Sequence, residues 1–217
     1  MEIARITLAR ALWIFDIAEL NPSGARVGEL VEQLLIPYEF QEKPTPEETS
    51  QRRGKFRGGK FEWMGRELEV ALEIHKDGLI AESSFATEAA DAFLEQILAG
   101  FSNALKVRYP PRMTRKRAHR SEMVVYVDAG LSGFCSKLDE FAKTLTDATS
   151  HTHELTALVF GSENRQTAFS FERRVGEPFE ENKFFTSALM HTSDHITVLE
   201  KLETQIKQTY SIGEDQP

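Results

Sequence analysis

The chain has few of the features that define secreted and membrane proteins. Its single cysteine, Cys135, excludes a disulfide within the chain, so we expect a reducing, cytoplasmic environment. No uncharged apolar run approaches the roughly 20 residues of a membrane-spanning helix. Charged residues also interrupt the first part of the chain, where a signal peptide would need an apolar core. We therefore expect a soluble protein with no membrane partner.

Catalytic motifs are also lacking. The sequence contains neither the Gly-x-Ser-x-Gly turn of serine hydrolases nor the His-Glu-x-x-His motif of zinc proteases. The glycines between Gly54 and Lys60 lack the spacing of a phosphate-binding loop and the Ser or Thr that follows its lysine. We therefore expect no cofactor, assign no catalytic residue and favour a protein without enzymatic activity.

Apolar side chains are plentiful enough for a folded core. Hydrophobic residues make up 41% of the 217 residues, with 15 phenylalanines, which is typical of a globular rather than a disordered chain. This length suits one large domain or two small ones.

The start of the chain is the least clearly patterned part. Residues 3–17 are rich in Ile, Leu, Trp and Phe, which predicts a strand or hairpin, with a helix as the alternative. Residues 25–35 are predicted to form a short helix that ends before Pro37. Residues 38–41 are predicted to form a brief strand.

The middle of the chain carries the clearest local pattern. Apolar residues from Leu68 to Ile74 alternate with mostly acidic ones, the period of a half-buried strand. Asp77-Gly78 then predicts a tight hairpin, so residues 60–83 are predicted to form a three-stranded meander. An apolar stripe at helical spacing follows: Ala90, Phe93, Leu94, Ile97, Leu98, Phe101 and Leu105.

The second half repeats this order in shorter form. We predict a strand at residues 123–127, a helix over residues 131–145, strands at residues 155–160, 167–171 and 184–190, and a final helix capped by Thr192 or Ser193 and extending to Tyr210. Residues 1–105 and 122–212 are thus predicted as two α+β halves joined by a basic, proline-containing linker at residues 106–121.

Each half is predicted as strand, helix, a meander of three or four strands, and helix, with helices packed on an antiparallel sheet. This order resembles the saddle-shaped fold of the TATA-binding protein, in which two such units share one sheet. The resemblance lies in element order alone and implies a continuous saddle-like sheet but no function. A plain two-layer α+β sandwich is the alternative.

Positive charge is concentrated in two stretches without acidic residues, although the chain has a net charge of -8. These stretches, residues 52–60 and 106–120, are predicted to be exposed loops. Two interpretations remain open: solvated basic loops, or contacts with an anionic partner. The candidate binding residues are Arg52, Arg53, Lys55, Arg57, Lys60, Lys106, Arg108, Arg112, Arg115, Lys116, Arg117 and Arg120.

These observations favour a protein-interaction subunit or adaptor of a larger cytoplasmic assembly, whose basic loops contact an anionic face of a protein partner. The first alternative is a nucleic-acid-binding accessory protein that uses the same loops. The sequence leaves the oligomeric state open.

A second alternative is a metal-dependent hydrolase. It would use histidines of the last third of the chain, which are His151, His153, His191 and His195. His191 is predicted to precede the final helix, so it would not share a helical face with His195. We therefore assign no metal ligand from the sequence.

Overall fold

The computed structural model describes residues 1–16, 35–45, 54–105, 116–128, 130–131, 134–163, 167–178 and 181–214. Within these ranges lie eight β-strands, three α-helices and one short 3-10 helix. The strands are β1 (Glu2–Ile14), β2 (Gly54–Trp63), β3 (Arg66–His75), β4 (Gly78–Ser83), β5 (Lys116–Tyr126), β6 (Ala157–Gly161), β7 (Thr167–Arg173) and β8 (Lys183–Ala188). The helices are α1 (Thr87–Leu105), α2 (Ser136–Thr149) and α3 (Thr192–Glu214).

The strands belong to one antiparallel sheet. Their order is β2-β3-β4-β1-β5-β8-β7-β6, so β2 and β6 are its two edge strands. The helices pack on this unclosed sheet, which confirms the predicted α+β class and the continuous sheet. Each half of the sequence supplies a three-stranded meander followed by a helix, as predicted.

The chain divides into two compact units. The first unit comprises Leu8–Ser121 and Met190–Thr192. The second unit comprises Met1–Thr7, Glu122–Leu189 and Ser193–Pro217. Strands β1 and β5 therefore contribute residues to each unit.

In the first unit, residues 54–60 are part of strand β2, so the prediction of an exposed basic loop was wrong for them. Phe56 and Phe61 are both buried, although strict alternation would place them on opposite faces of a strand. A β-bulge between Phe56 and Gly59 adds one residue to β2, and Gly58 there has a φ of 63°. The extra residue brings both rings to the core face.

Aromatic rings fill the core of the first unit around Phe93 of α1. The rings of Tyr38, Phe40 and Phe61 have centroids 5.1, 6.4 and 5.3 Å from that of Phe93. Every described side chain of the predicted α1 stripe is buried, and these are Ala90, Phe93, Leu94, Ile97 and Leu98. The helical period therefore identified the core face of α1 correctly.

The strand predicted at residues 38–41 is not formed. The chain makes a 3-10 helix at Ile36–Tyr38, with Pro37 in its first turn. Proline lacks the N–H that a strand would donate, and its fixed φ suits the start of a helix. Just after residues 38–41, Glu42 forms an isolated antiparallel bridge with Arg57 on the edge strand β2.

Other boundaries also differ from those predicted. Residues 116–121, assigned to the linker, are the first part of β5. Helix α2 begins only at Ser136, because Cys135 before it has extended backbone angles. The predicted helix at residues 25–35, apart from Leu35, and linker residues 106–115 lie outside the described residues.

The second unit has its own apolar core on β7, β8 and α3. The rings of Phe171 and Phe184 stack with centroids 4.3 Å apart, and Leu199 and Ile206 of α3 are buried. Helix α3 begins at Thr192, one of the two predicted caps. No helix among the described residues is long and apolar enough to cross a bilayer.

The packing of Phe40 against β2 generates a test of the first unit's core. A Cβ atom added at Gly59 would lie 2.4 Å from Cε1 of Phe40. We therefore expect Gly59→Ala to lower the free energy of unfolding by about 1–3 kcal/mol through overpacking, measured by chemical denaturation.

A double-mutant cycle identifies the cause of this loss. If the Phe40 ring is the obstacle, Gly59→Ala costs much less in a Phe40→Ala background than in the wild type. An equal cost in both backgrounds would contradict this assignment.

Candidate functional site

Half of the predicted binding residues can be placed. Those on β2 and β5 are Lys55, Arg57, Lys60, Lys116, Arg117 and Arg120. Those outside the described residues are Arg52, Arg53, Lys106, Arg108, Arg112 and Arg115.

Several of the placed basic side chains are paired with carboxylates of the same unit. Lys55 Nζ lies 2.6 Å from Glu73 Oε1, and Lys60 Nζ lies 3.0 Å from Glu39 Oε2. The arginines at positions 57 and 117 approach carboxylates at 3.7 and 3.8 Å. These exposed pairs contribute little to stability, but they offset part of the positive charge that an anionic partner would meet.

Edge strand β6 of the second unit presents apolar side chains to solvent. Val159 and Phe160 are 57% and 54% exposed. Residues 155–161 contain neither a charged residue nor a proline. Natural edge strands are usually protected by such residues, because unpaired backbone N–H and C=O groups otherwise recruit another strand.

The pairing of β6 with β7 shows which face each side chain occupies. Phe160 lies opposite Phe169, which is buried and contacts the ring of His195 from α3. Phe160 therefore belongs to the core face of the sheet but is only half covered there. Val159 lies opposite Ser170 on the other face. Strand β6 thus leaves apolar surface open on both faces.

Helix α2 of the second unit is the other apolar surface. Leu138 and Phe141 lie three positions apart and form an apolar stripe on one face of α2. Both side chains are exposed, Phe141 to 60%. Among the described residues of α2, none is buried. An amphipathic helix normally buries its apolar stripe, so the open stripe on α2 is typical of a surface that meets a partner.

The four histidines of the last third do not form a common site. Among the described residues, the one group of three or more metal-ligating side chains includes only His191 of the four. His153 Nδ1 lies 2.7 Å from the carbonyl oxygen of His151. Since His191 immediately precedes α3, the prediction that it lies outside the final helix is confirmed.

His195 is buried in the second unit and forms a hydrogen bond with Thr186. Thr186 Oγ1 donates its proton to the carbonyl of Ser170 at 2.8 Å, so it accepts one from His195 Nε2 at 2.8 Å. His195 Nδ1 is buried and has no hydrogen-bond partner among the described residues. Burial lowers the pKa of His195 to about 4, because the charged imidazolium loses its hydration.

His191 instead meets two residues of the first unit, Asp91 of α1 and His119 of β5. His119 Nε2 lies 2.9 Å from Asp91 Oδ2, and His191 Nδ1 lies 4.0 Å from the same oxygen. The two imidazole rings stack with centroids 3.7 Å apart. We call these three residues the His-Asp-His cluster.

Buried groups hold the His-Asp-His cluster in place. Trp13 Nε1 donates to Asp91 Oδ1 at 2.7 Å, and Trp13 itself is buried. Beside His191, the backbone N–H of Thr192 donates to Thr87 Oγ1 at 2.8 Å, and the N–H of Thr87 donates to Thr192 Oγ1 at 3.0 Å. One backbone N–H at the start of each helix is thereby satisfied.

Sequence reasoning missed Asp91 and His119. The two residues lie 28 positions apart, and His191 lies 72 positions beyond His119, so no local spacing motif connects them. His119 was also assigned to a linker rather than to a strand. The sequence contains one partial indication of this site. Asp91 follows Ala90, which belongs to the predicted apolar face of α1, so a carboxylate close to the core could be expected there.

The buried state of His195 predicts a pH dependence of stability. Below about pH 6.5 the unfolded chain protonates this histidine, whereas the folded protein does so only near a pKa of about 4. The unfolded state therefore binds more protons, and the free energy of unfolding falls as the pH is lowered through this window. We expect this contribution to approach about 3 kcal/mol by pH 4.

Chemical denaturation of the wild type and of His195→Gln at several pH values measures the contribution of His195 to the free energy of unfolding. The difference in the slope of unfolding free energy against pH isolates His195 from the carboxylates. Parallel slopes between about pH 6.5 and pH 5 would show that His195 titrates alike in both states.

Comparison with known proteins gives no family for this chain. No protein-family model matches it, and a search of curated proteins finds no match. A function for this chain therefore has to be argued from the surfaces and side-chain clusters described above.

Proposed function

We propose that the protein is a non-enzymatic interaction subunit of a larger cytoplasmic assembly and that it binds a protein partner through edge strand β6. The observation that carries this proposal is the uncharged, exposed strand edge with Val159 and Phe160 at its surface. An edge of this kind favours unwanted association unless a partner covers it.

Strand addition is the binding mode that this edge fits best. A partner strand would take up the free backbone groups of β6, and its side chains would alternate between the two faces. On the core face it would cover Phe160, and on the opposite face it would cover Val159. The partner segment is therefore expected to be extended and apolar on both faces.

The five residues of β6 offer less surface than a stable complex buries, since specific interfaces bury roughly 1,600 Å² in total. The open stripe on α2, with Leu138 and Phe141, supplies further apolar area within the same unit. We propose that α2 provides a second contact for the assembly. Aromatic and aliphatic side chains of this kind are common anchors in protein interfaces.

The basic residues support the proposal less directly. The sequence leaves open whether they contact an anionic partner face or are only solvated, and several of those on β2 and β5 have carboxylate neighbours. We propose that they steer association rather than anchor it, because exposed charges mainly affect association rate. Binding of nucleic acid through these residues remains the alternative function.

The test is a matched pair of substitutions in the full chain. Val159→Lys places a charge on the β6 edge, and Val175→Lys makes the same change at a side chain that is 97% exposed in a turn. We expect Val159→Lys to reduce recovery of a stoichiometric protein partner from nuclease-treated cell extract about tenfold, a loss of about 1.4 kcal/mol. We expect Val175→Lys to leave recovery unchanged.

A photo-crosslinking residue at position 159 provides the second readout. The partner recovered with the wild type should be crosslinked from position 159 and not from position 175. Equal recovery with both lysine variants, or no partner in any sample, would overturn the proposal. Recovery of nucleic acid alone, lost steeply with salt, would favour the alternative.

A further inference from the structure

We propose that the His-Asp-His cluster of the first unit, Asp91, His119 and His191, binds one divalent first-row transition metal ion with the ligand preferences of Zn²⁺. Two imidazoles and one carboxylate are ligands that Zn²⁺ accepts, and three protein ligands leave a fourth position for water. This inference is independent of the proposed function, which rests on the second unit.

The distances from the carboxylate to the two imidazole nitrogens are close to those of a metal site. Tetrahedral bonds of about 2.1 Å place neighbouring ligand atoms about 3.4 Å apart. Asp91 Oδ2 lies 2.9 Å from His119 Nε2 and 4.0 Å from His191 Nδ1, so the observed separations bracket this value. All three ligand atoms lie within 4.8 Å of one another.

The carboxylate is already oriented for binding. Its Oδ1 accepts the indole N–H of buried Trp13 at 2.7 Å, which leaves Oδ2 facing the two imidazoles. Hydrogen bonds of this kind to the second oxygen of a ligating carboxylate fix its direction and raise metal affinity. The guanidinium carbon of Arg117 lies over the Trp13 ring, 3.7 Å from its centroid.

The side chains of His119 and His191 differ in how freely they can move. His119 lies on β5 and is mostly buried, whereas the side chain of His191 is 38% exposed. In the stacked arrangement the ring centroids are 3.7 Å apart, closer than two rings that share one tetrahedral ion. Binding therefore requires the more exposed His191 ring to move outward, while Asp91 and His119 stay in place.

Metal binding should depend on pH. Each ligating nitrogen must be unprotonated when the ion binds, and His119 Nε2 lies at hydrogen-bond distance from the Asp91 carboxylate. Protons compete with the ion for these nitrogens, so metal affinity falls as the pH is lowered.

The experiment uses the full chain without a histidine tag, stripped with a chelator and titrated with Co²⁺ and with Zn²⁺. Calorimetry gives the stoichiometry and affinity, and the visible absorption of Co²⁺ reports its coordination geometry. We expect one equivalent of each ion to bind. Replacing both imidazole ligands, in His119→Ala/His191→Ala, should weaken binding at least about 100-fold.

A matched double variant controls for surface histidines. His151→Ala/His153→Ala removes two histidines of the second unit that also lie close together, and we expect it to bind as the wild type does. Asp91→Asn keeps an oxygen for the Trp13 hydrogen bond and removes the charge, so it should fold normally and bind more weakly.

Three outcomes would overturn the proposal. They are no binding by the wild-type chain, equal binding after loss of His119 and His191, and loss of binding in the His151/His153 variant instead. If His119→Ala/His191→Ala fails to fold, Asp91→Asn decides the question, and wild-type affinity in that variant would exclude the site.

Discussion

The reciprocal hydrogen bonds between Thr87 and Thr192 are the constraint on which the first unit's polar cluster depends. Each threonine accepts the backbone N–H of the other across 105 positions of sequence, and both residues are buried. Helix starts leave N–H groups without partners, and burying them unpaired would be costly. The two hydrogen bonds hold the starts of α1 and α3 side by side. His191 lies one residue before Thr192 and Asp91 lies one turn after Thr87, so the pairing of the two helix starts also positions two of the three proposed ligands.

The two units suggest different kinds of binding for different physical reasons. In the first unit, polar side chains converge and are held by buried partners, as in the bond from Trp13 to Asp91. In the second unit, apolar side chains on β6 and α2 remain uncovered. A converging polar cluster favours a small ion, whereas open apolar surface on an uncharged edge favours another protein. The proposed partner and the proposed ion therefore do not compete for the same residues.

Local patterns predicted strand β3 and helix α1 well. The alternation from Leu68 to Ile74 matches β3, and the helical stripe around Phe93 is the buried face of α1. These predictions succeeded because, in a regular strand or helix, the spacing of apolar residues in the sequence equals the spacing of buried side chains. The pattern failed at β2, where the bulge at Gly58 shifts the alternation by one residue. The basic residues there were therefore interpreted as a loop although they belong to an edge strand.

By itself, the sequence determined the α+β class, the core faces of β3 and α1 and the position of His191 outside the final helix, because each depends on neighbouring residues. Only the tertiary structure decided that β6 is an edge strand, since edge status depends on the order of strands in the sheet. The same holds for the meeting of Asp91, His119 and His191, which three separate elements bring together. Long-range pairing of this kind has no local signature, and so neither proposed site could be assigned from spacing alone.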